Sequence, residues 1–235
     1  LRFMDEAGVA RQMLSLPGLF GIDSLPLQEA ARLTRLFNDD LAALCARKPG
    51  RFAGIAALPL ADMPAAVAEL RRARQELGLA GAILPVNAFL DVARAHALRP
   101  LFEAGNALGA HFFVHPGRRP DEALLPPPAE PADHAMARRA LAVQAEVGEA
   151  MVTLMLSDFL DAYPDVSVQV ANLGGTFPAV IERMVHMVRQ RTPGAPVPSG
   201  RARRVYVDCA SLGPTALAQA VQVFGADRVV VGTDC

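Results

Sequence analysis

Short runs of apolar and β-branched residues alternate along the chain with longer stretches in which apolar positions recur every three to four residues. The short runs predict strands over residues 12–16, 53–58, 80–84, 111–114, 167–171, 204–209 and 229–231. The longer stretches predict helices over 27–46, 64–77, 92–108, 134–162, 177–191 and 214–224. Several boundaries carry their own chemistry. Asp62 can accept from the free amides of a helix with Pro64 in its first turn, and Gly78 and Gly109 can adopt the left-handed conformation that stops one. The strand runs are almost continuously apolar rather than alternating with polar residues. Strand then helix, repeated, with strands buried on both faces, predicts a parallel sheet.

Two architectures satisfy that pattern, a closed barrel and an open doubly wound sheet. No glycine-rich phosphate fingerprint follows an early strand, and seven similar units suit a barrel better. The expected fold is therefore α/β, a TIM-type (β/α)8 barrel, as a single domain over residues 1–235. A full barrel needs eight strands. Residues 1–7 read as the tail of a helix whose preceding strand lies upstream, and the chain stops just after the apolar run 229–231. Strands two to eight are expected here, with truncation at both ends, unpaired sheet edges and association through them. Two proline-rich stretches, 117–133 and 191–201, interrupt the rhythm. The first follows a strand that ends where barrel active sites are built and reads as a lid in preference to a tolerated insertion.

Composition narrows the function classes. Lys plus Arg number 23 and Asp plus Glu 24, so no charge excess recruits nucleic acid or an anionic membrane. Cys45, Cys209 and Cys235 are few, odd in number and far apart, which fits reduced thiols in the cytoplasm rather than a disulfide framework. The apolar runs stop well short of the roughly 20 residues of a membrane helix. The opening LRFMDEAGV has two acidic groups and no signal-peptide core. The partner expected is a small-molecule substrate, with a homodimer left open.

Chemistry in a barrel collects at the C-terminal ends of its strands. The fourth predicted strand ends in FFVHPG, placing His115 at the mouth, either as a metal ligand or bonded to a backbone carbonyl. The last ends in VVVGTDC, placing the Asp234 carboxylate on the same rim, as a ligand or bonded to its own turn amides. An imidazole and a carboxylate from different strands make half of a nitrogen and oxygen shell for a divalent cation. VQVANLGGTFP puts Asn172 at the rim before Gly174 and Gly175, and VYVDCAS offers Asp208 as a second carboxylate, read as a structural partner. His96, His134 and His186 fall within helical patterns, and His111 begins a strand at the opposite end from the chemistry. Asn38, Asp40, Arg51 and Phe52 read as a helix surface and the turn that follows it.

The blocks FNDDLAALCARKPGRFAGIAALPL, ELRRARQELGLAGAIL, FFVHPG, ANLGGTFP and VVVGTD, in this order and spacing, resemble the amidohydrolase superfamily. The likeness is to the amidohydrolase-related proteins that include aminocarboxymuconate-semialdehyde decarboxylase, and it covers nearly the whole chain. It implies a zinc ion, or another divalent metal, held by a His-x-His pair on the first strand, a histidine ending the fifth and an aspartate ending the eighth. His115 and Asp234 match the last two, with Asp234 also catalytic. The family places a catalytic histidine, which acts on the metal-bound water or substrate, before the paired glycines, and here that catalytic position is Asn172. The His-x-His pair and a substrate-binding arginine would precede Leu1. The resemblance implies a metal-dependent carboxy-lyase or hydrolase acting on a small carboxylated unsaturated or aromatic compound. A lactonase or C–N hydrolase of the superfamily, and a non-catalytic homologue that lost the histidine, stay open.

Overall fold

The computed structural model describes residues 1–16, 25–117, 120–123, 129, 132–195, 204–210 and 212–233. Among them the strands are β1 (Gln12–Leu14), β2 (Phe52–Gly54), β3 (Gly81–Pro85), β4 (His111–His115), β5 (Ser167–Val170), β6 (Val205–Asp208) and β7 (Val229–Val230). The helices are α1 (Arg2–Glu6), α2 (Leu27–Arg47), α3 (Met63–Gln75), α4 (Val92–His96), α5 (Arg99–Ala107), α6 (Pro120–Ala123), α7 (Ala135–Leu156), α8 (Phe177–Arg191) and α9 (Pro214–Phe224). All seven predicted strands are present, each within a few residues of its expected bounds.

Every strand pairing is parallel. β1 pairs with β2, and β3 to β7 pair in chain order. Residues beyond β2 join these two groups: Ala80 N donates to Gly54 O at 2.8 Å, Ala56 N to Gly81 O at 2.9 Å and Ile83 N to Ala56 O at 2.9 Å. The result is one row of seven strands in sequence order, with β1 and β7 at its ends and no pairing between them among the described residues.

The two faces of the row differ. On β4, Phe112 and Val114 are fully buried, while His111, Phe113 and His115 on the other face are partly exposed. Phe112 meets Phe102 of α5 with ring centroids 4.7 Å apart, which identifies the buried face as the one under the helices. Phe159 and Tyr163 lie 4.9 and 5.3 Å from Phe102 and complete an aromatic cluster there. Such pairs add about 0.5–1.5 kcal/mol each beyond the area they bury. The opposite, inward face reads across the register as Ile83, Phe113, Gln169 and Tyr206 in one layer, and Pro85 beside His115 in the layer above.

Expected boundaries fail where a local bond or its absence intervenes. The single helix predicted over 92–108 is two, α4 and α5. Pro100 in the first turn of α5 has no N–H to continue the ladder, and its ring would meet the carbonyl of His96. The helix predicted to reach residue 162 ends at Leu156. There the Ser157 hydroxyl donates to Thr153 O and accepts from Phe159 N, replacing helical bonds and starting a short 3-10 turn at Phe159–Ala162. Asn38, read as helix surface, is fully buried. Its amide group donates to Ala57 O at 2.9 Å and to Glu69 Oε1 at 2.7 Å, and its Oδ1 accepts from Ala57 N at 2.9 Å, tying α2 to the segment that leaves β2. Arg72 bonds both oxygens of Glu69 and reaches Asp39, so the buried carboxylate is fully matched. The caps read from sequence hold: Asp62 accepts from Ala65 N, and Gly78 and Gly109 have φ of 66° and 56°.

Candidate active site

Because the strands are parallel, their C-terminal ends form one rim. Pro85 of β3 stands beside His115 of β4, Ala171 N donates to Val114 O at 2.9 Å, and Asp208 of β6 stands beside Val230 of β7. His115 and Asn172 are thus brought to the same rim on neighbouring strands. The Nδ1 of His115 lies 3.1 Å from Pro116 O. A carbonyl only accepts, so Nδ1 carries a proton, and in a neutral ring that is the Nδ1–H tautomer found in histidines that ligate a metal through Nε2. The ring also packs edge-on against Phe113, with centroids 5.4 Å apart at 73°.

After β5 the backbone turns left-handed for four residues: φ is 56° at Asn172, 53° at Leu173, 74° at Gly174 and 62° at Gly175. For a residue with a Cβ that conformation costs roughly 1–2 kcal/mol, and Asn172 and Leu173 both adopt it. It persists because the surroundings over-determine it. Gly175 N donates to Asn172 O at 2.8 Å, Thr176 N to Gln144 O of α7 at 3.0 Å, and Leu173 is buried. Gly148 of α7 admits the turn, since a Cβ there would meet the Thr176 hydroxyl.

Asp208 is 2% exposed, and among the described residues its bonded partners include no cation. Its Oδ1 accepts from Asn172 N at 3.3 Å and Ala210 N at 3.2 Å, and its Oδ2 from Gln169 Nε2 at 2.9 Å. The structural-partner reading of this carboxylate fits these bonds. Below it, on the same face, the Nδ1 of His111 lies 2.8 Å from the Ser167 hydroxyl. Burial pushes the His111 pKa down, partly opposed by the Gln169 bond. A polar line therefore climbs the inward face from Ser167 to the rim. Sequence reading missed Gln169 and Gly148. The signal for Gln169 was present: Ser-Val-Gln-Val alternates, which a strand buried equally on both faces would not.

Asp234 and Cys235 lie outside the described residues, as do 118–119, 124–128 and 130–131 of the stretch read as a lid and 196–201 of the second proline-rich loop. Among the described residues no three His, Cys, Asp or Glu side chains lie together as a metal shell. His115 fits one ligand position by its tautomer. His96 sits 3.3 Å from Arg99 and beside Phe159, His134 precedes α7 with φ of 47°, and His186 lies on α8. Among the described residues no helix is long and apolar enough to cross a membrane.

The amidohydrolase family profile matches residues 1–235. Gamma-resorcylate decarboxylase of a Polaromonas species is 32% identical over 260 aligned residues, covering 100% of this chain and 75% of that protein. The 2-amino-3-carboxymuconate-6-semialdehyde decarboxylase of Dictyostelium discoideum is 29% identical over 229 residues, covering 95% of this chain. The chain spans 62% of the length of that relative. Among solved structures, a dihydroxybenzoic acid decarboxylase from Polaromonas, with bound manganese and the inhibitor 2-nitroresorcinol, superposes with a TM-score of 0.72 at 24% identity. That superposition covers 99% of this chain and 73% of that one, and the shared fold is the TIM-type barrel. By the profile match over its whole length, the chain belongs to the amidohydrolase family.

Proposed function

We propose that this chain forms most of the barrel of a divalent-metal-dependent carboxy-lyase acting on a small aromatic or unsaturated carboxylate. The observation that carries the reading is His115, at the C-terminal rim of a parallel barrel, where its Nδ1 bonds the Pro116 carbonyl and so fixes the ring tautomer. Support comes from the relatives, which are named as decarboxylases of carboxylated compounds, and from the manganese in the Polaromonas structure. The cation proposed here is zinc, which imidazole and carboxylate ligands suit. His115 and Asp234 would hold it. Such a cation, when bound, supplies Lewis-acid polarisation of a substrate oxygen and eases loss of a proton from water.

The residues divide the remaining work. Asp234 passes a proton to the carbon that bears the carboxylate. The bond from that carbon to the carboxylate then breaks, its electron pair returns to the substrate, and carbon dioxide leaves. Asn172 can donate and accept hydrogen bonds but cannot transfer a proton near neutral pH, so it orients substrate. Free Cys45 and Cys209 fit a reducing compartment, the cytoplasm.

The test is the full-length protein, loaded with zinc or manganese and given 2,6-dihydroxybenzoate or 2-amino-3-carboxymuconate-6-semialdehyde. Carbon dioxide release is the expected result. Hydrolysis of a lactone without carbon dioxide release would make it a hydrolase. No turnover of either kind would favour the non-catalytic reading, for which the exchange of histidine for Asn172 is the specific observation.

A further inference from the structure

We propose that Asp208 is a positioning residue that locks two rim segments to each other, the left-handed turn at Asn172 and the exit of β7 at Gly232; its kinetic part rests on the functional reading above. The carboxylate is buried at the last residue of β6. One oxygen receives the Asn172 and Ala210 amides, and the other receives the Gln169 side chain. Both oxygens are therefore engaged by N–H donors beneath the rim, as charge-assisted bonds that satisfy a buried anion. On its other side the chain leaving β7 presses against the same group. A Cβ built on Gly232 would lie 3.0 Å from both the Cβ and Oδ1 of Asp208 and 3.1 Å from the Cβ of Ala210. Gly232 is two residues before Asp234. One side chain thus sets where the strained turn begins and how closely the segment carrying the proposed ligand approaches it. Gln169 fixes the carboxylate from below and stands between Phe113 and Tyr206 on the inward face, so the lock is anchored in the barrel interior.

The experiment uses the full-length protein and three variants, read by amide hydrogen exchange and by steady-state kinetics with 2,6-dihydroxybenzoate. Asp208→Ala leaves the Asn172 amide without its acceptor. It should speed exchange in peptides covering 171–176 and 229–235, and lower kcat about a hundredfold with a much smaller change in KM. Asp208→Asn keeps an acceptor for both backbone amides, and its new amide group can donate to Gln169 once that side chain turns over. It should recover most of what alanine loses. Gly232→Ala pushes on the carboxylate from the β7 side and should speed exchange at 171–176 as well, which keeps the test open if Asp208→Ala does not fold. Unchanged exchange in Asp208→Ala, or a Gly232→Ala effect confined to 229–235, would overturn the proposal. So would an Asp208→Asn protein with normal exchange and a kcat as low as that of alanine, because the charge itself would then be required. If the wild-type protein releases no carbon dioxide, the functional reading fails while the exchange data still decide the lock.

Discussion

Gly148 of α7 and Gly175 of the turn after β5 meet backbone to backbone: a Cβ on Gly175 would lie 2.8 Å from the Gly148 amide nitrogen and 2.9 Å from the Cβ of Val147. Gly175→Ala therefore adds steric overlap, worth about 1–3 kcal/mol, to a left-handed φ worth roughly 1–2 kcal/mol. A loss of about 2–5 kcal/mol is expected in urea denaturation. Gly194→Ala, at φ 88° with nothing within 4 Å of the added Cβ, should lose only the conformational part. Equal losses at the two positions would remove packing from the explanation.

Asn38 is a second point where little change is tolerated. Asn38→Ala strips partners from both Ala57 backbone groups and from one oxygen of Glu69, all buried. Glu69 Oε1 keeps its Arg72 bond, and leaving the two Ala57 groups unsatisfied costs about 2–4 kcal/mol in total. Thermal unfolding of the variant should shift accordingly, and a shift within error would mean that water replaces the amide.

His111 gives a pH dependence with a definite sign. Its folded pKa is pushed below the ordinary 6.5, mainly by burial, so below that pH the unfolded chain binds the proton more readily than the folded one. This contribution to stability is intact above 6.5 and is lost as pH falls from there through the folded value. Stability curves for wild type and His111→Gln, measured between pH 7.5 and about 5, should diverge on the acid side with wild type falling further. Parallel curves would show that His111 does not titrate in this window.

Metal dependence of the full-length protein is expected to pass through His115. Chelator-treated protein should lose carbon dioxide release and regain it with zinc or manganese. His115→Ala should bind the metal more weakly by isothermal titration and remain inactive after reloading. Full metal affinity in His115→Ala would remove this residue from the ligand set.

Asn172 separates a working enzyme from a decayed one. If it only orients substrate, Asn172→Ala costs little. If the position is a lost general base, Asn172→His in the full-length protein raises turnover by about 10² to 10⁴, the usual worth of such a group. The first outcome is expected, because His115 is retained on the neighbouring strand end with its Nδ1 held by the Pro116 carbonyl. A gain of two orders of magnitude over a nearly inactive parent would reverse that view.

The periodicity of the sequence located every strand among the described residues, since short apolar, β-branched runs between longer amphipathic stretches are the imprint of strands covered by helices. It also placed His115 and Asn172 at strand ends, because parallel topology converts sequence position into spatial position. What it could not convey was set by contacts between distant residues. Asn38 has the composition of a surface residue, and only the arrival of Ala57 and Glu69 makes it a buried bridge. Gly148 sits in the middle of a helix with no local reason to be glycine, and its partner is a turn 27 residues on, at Gly175. Pro100, by contrast, announced the break between α4 and α5, and the apolar periodicity through it masked the signal.

The β4–β5 pairing has a consequence for how the chain assembles. His111 and Ser167 are 56 residues apart in sequence, whereas Gly81 and His111, paired across β3 and β4, are separated by roughly half that. Doubling a flexible loop adds only about 0.6 kcal/mol of closure entropy, so the extra length between these strands costs the finished fold almost nothing. Its effect is on time. Each strand must wait for a whole helical excursion before its neighbour arrives, and such non-local pairing slows folding at equal stability. The edge of β4 is thus the one left waiting longest for its next partner, and changes in the intervening segment should register in refolding rate well before they register in melting temperature.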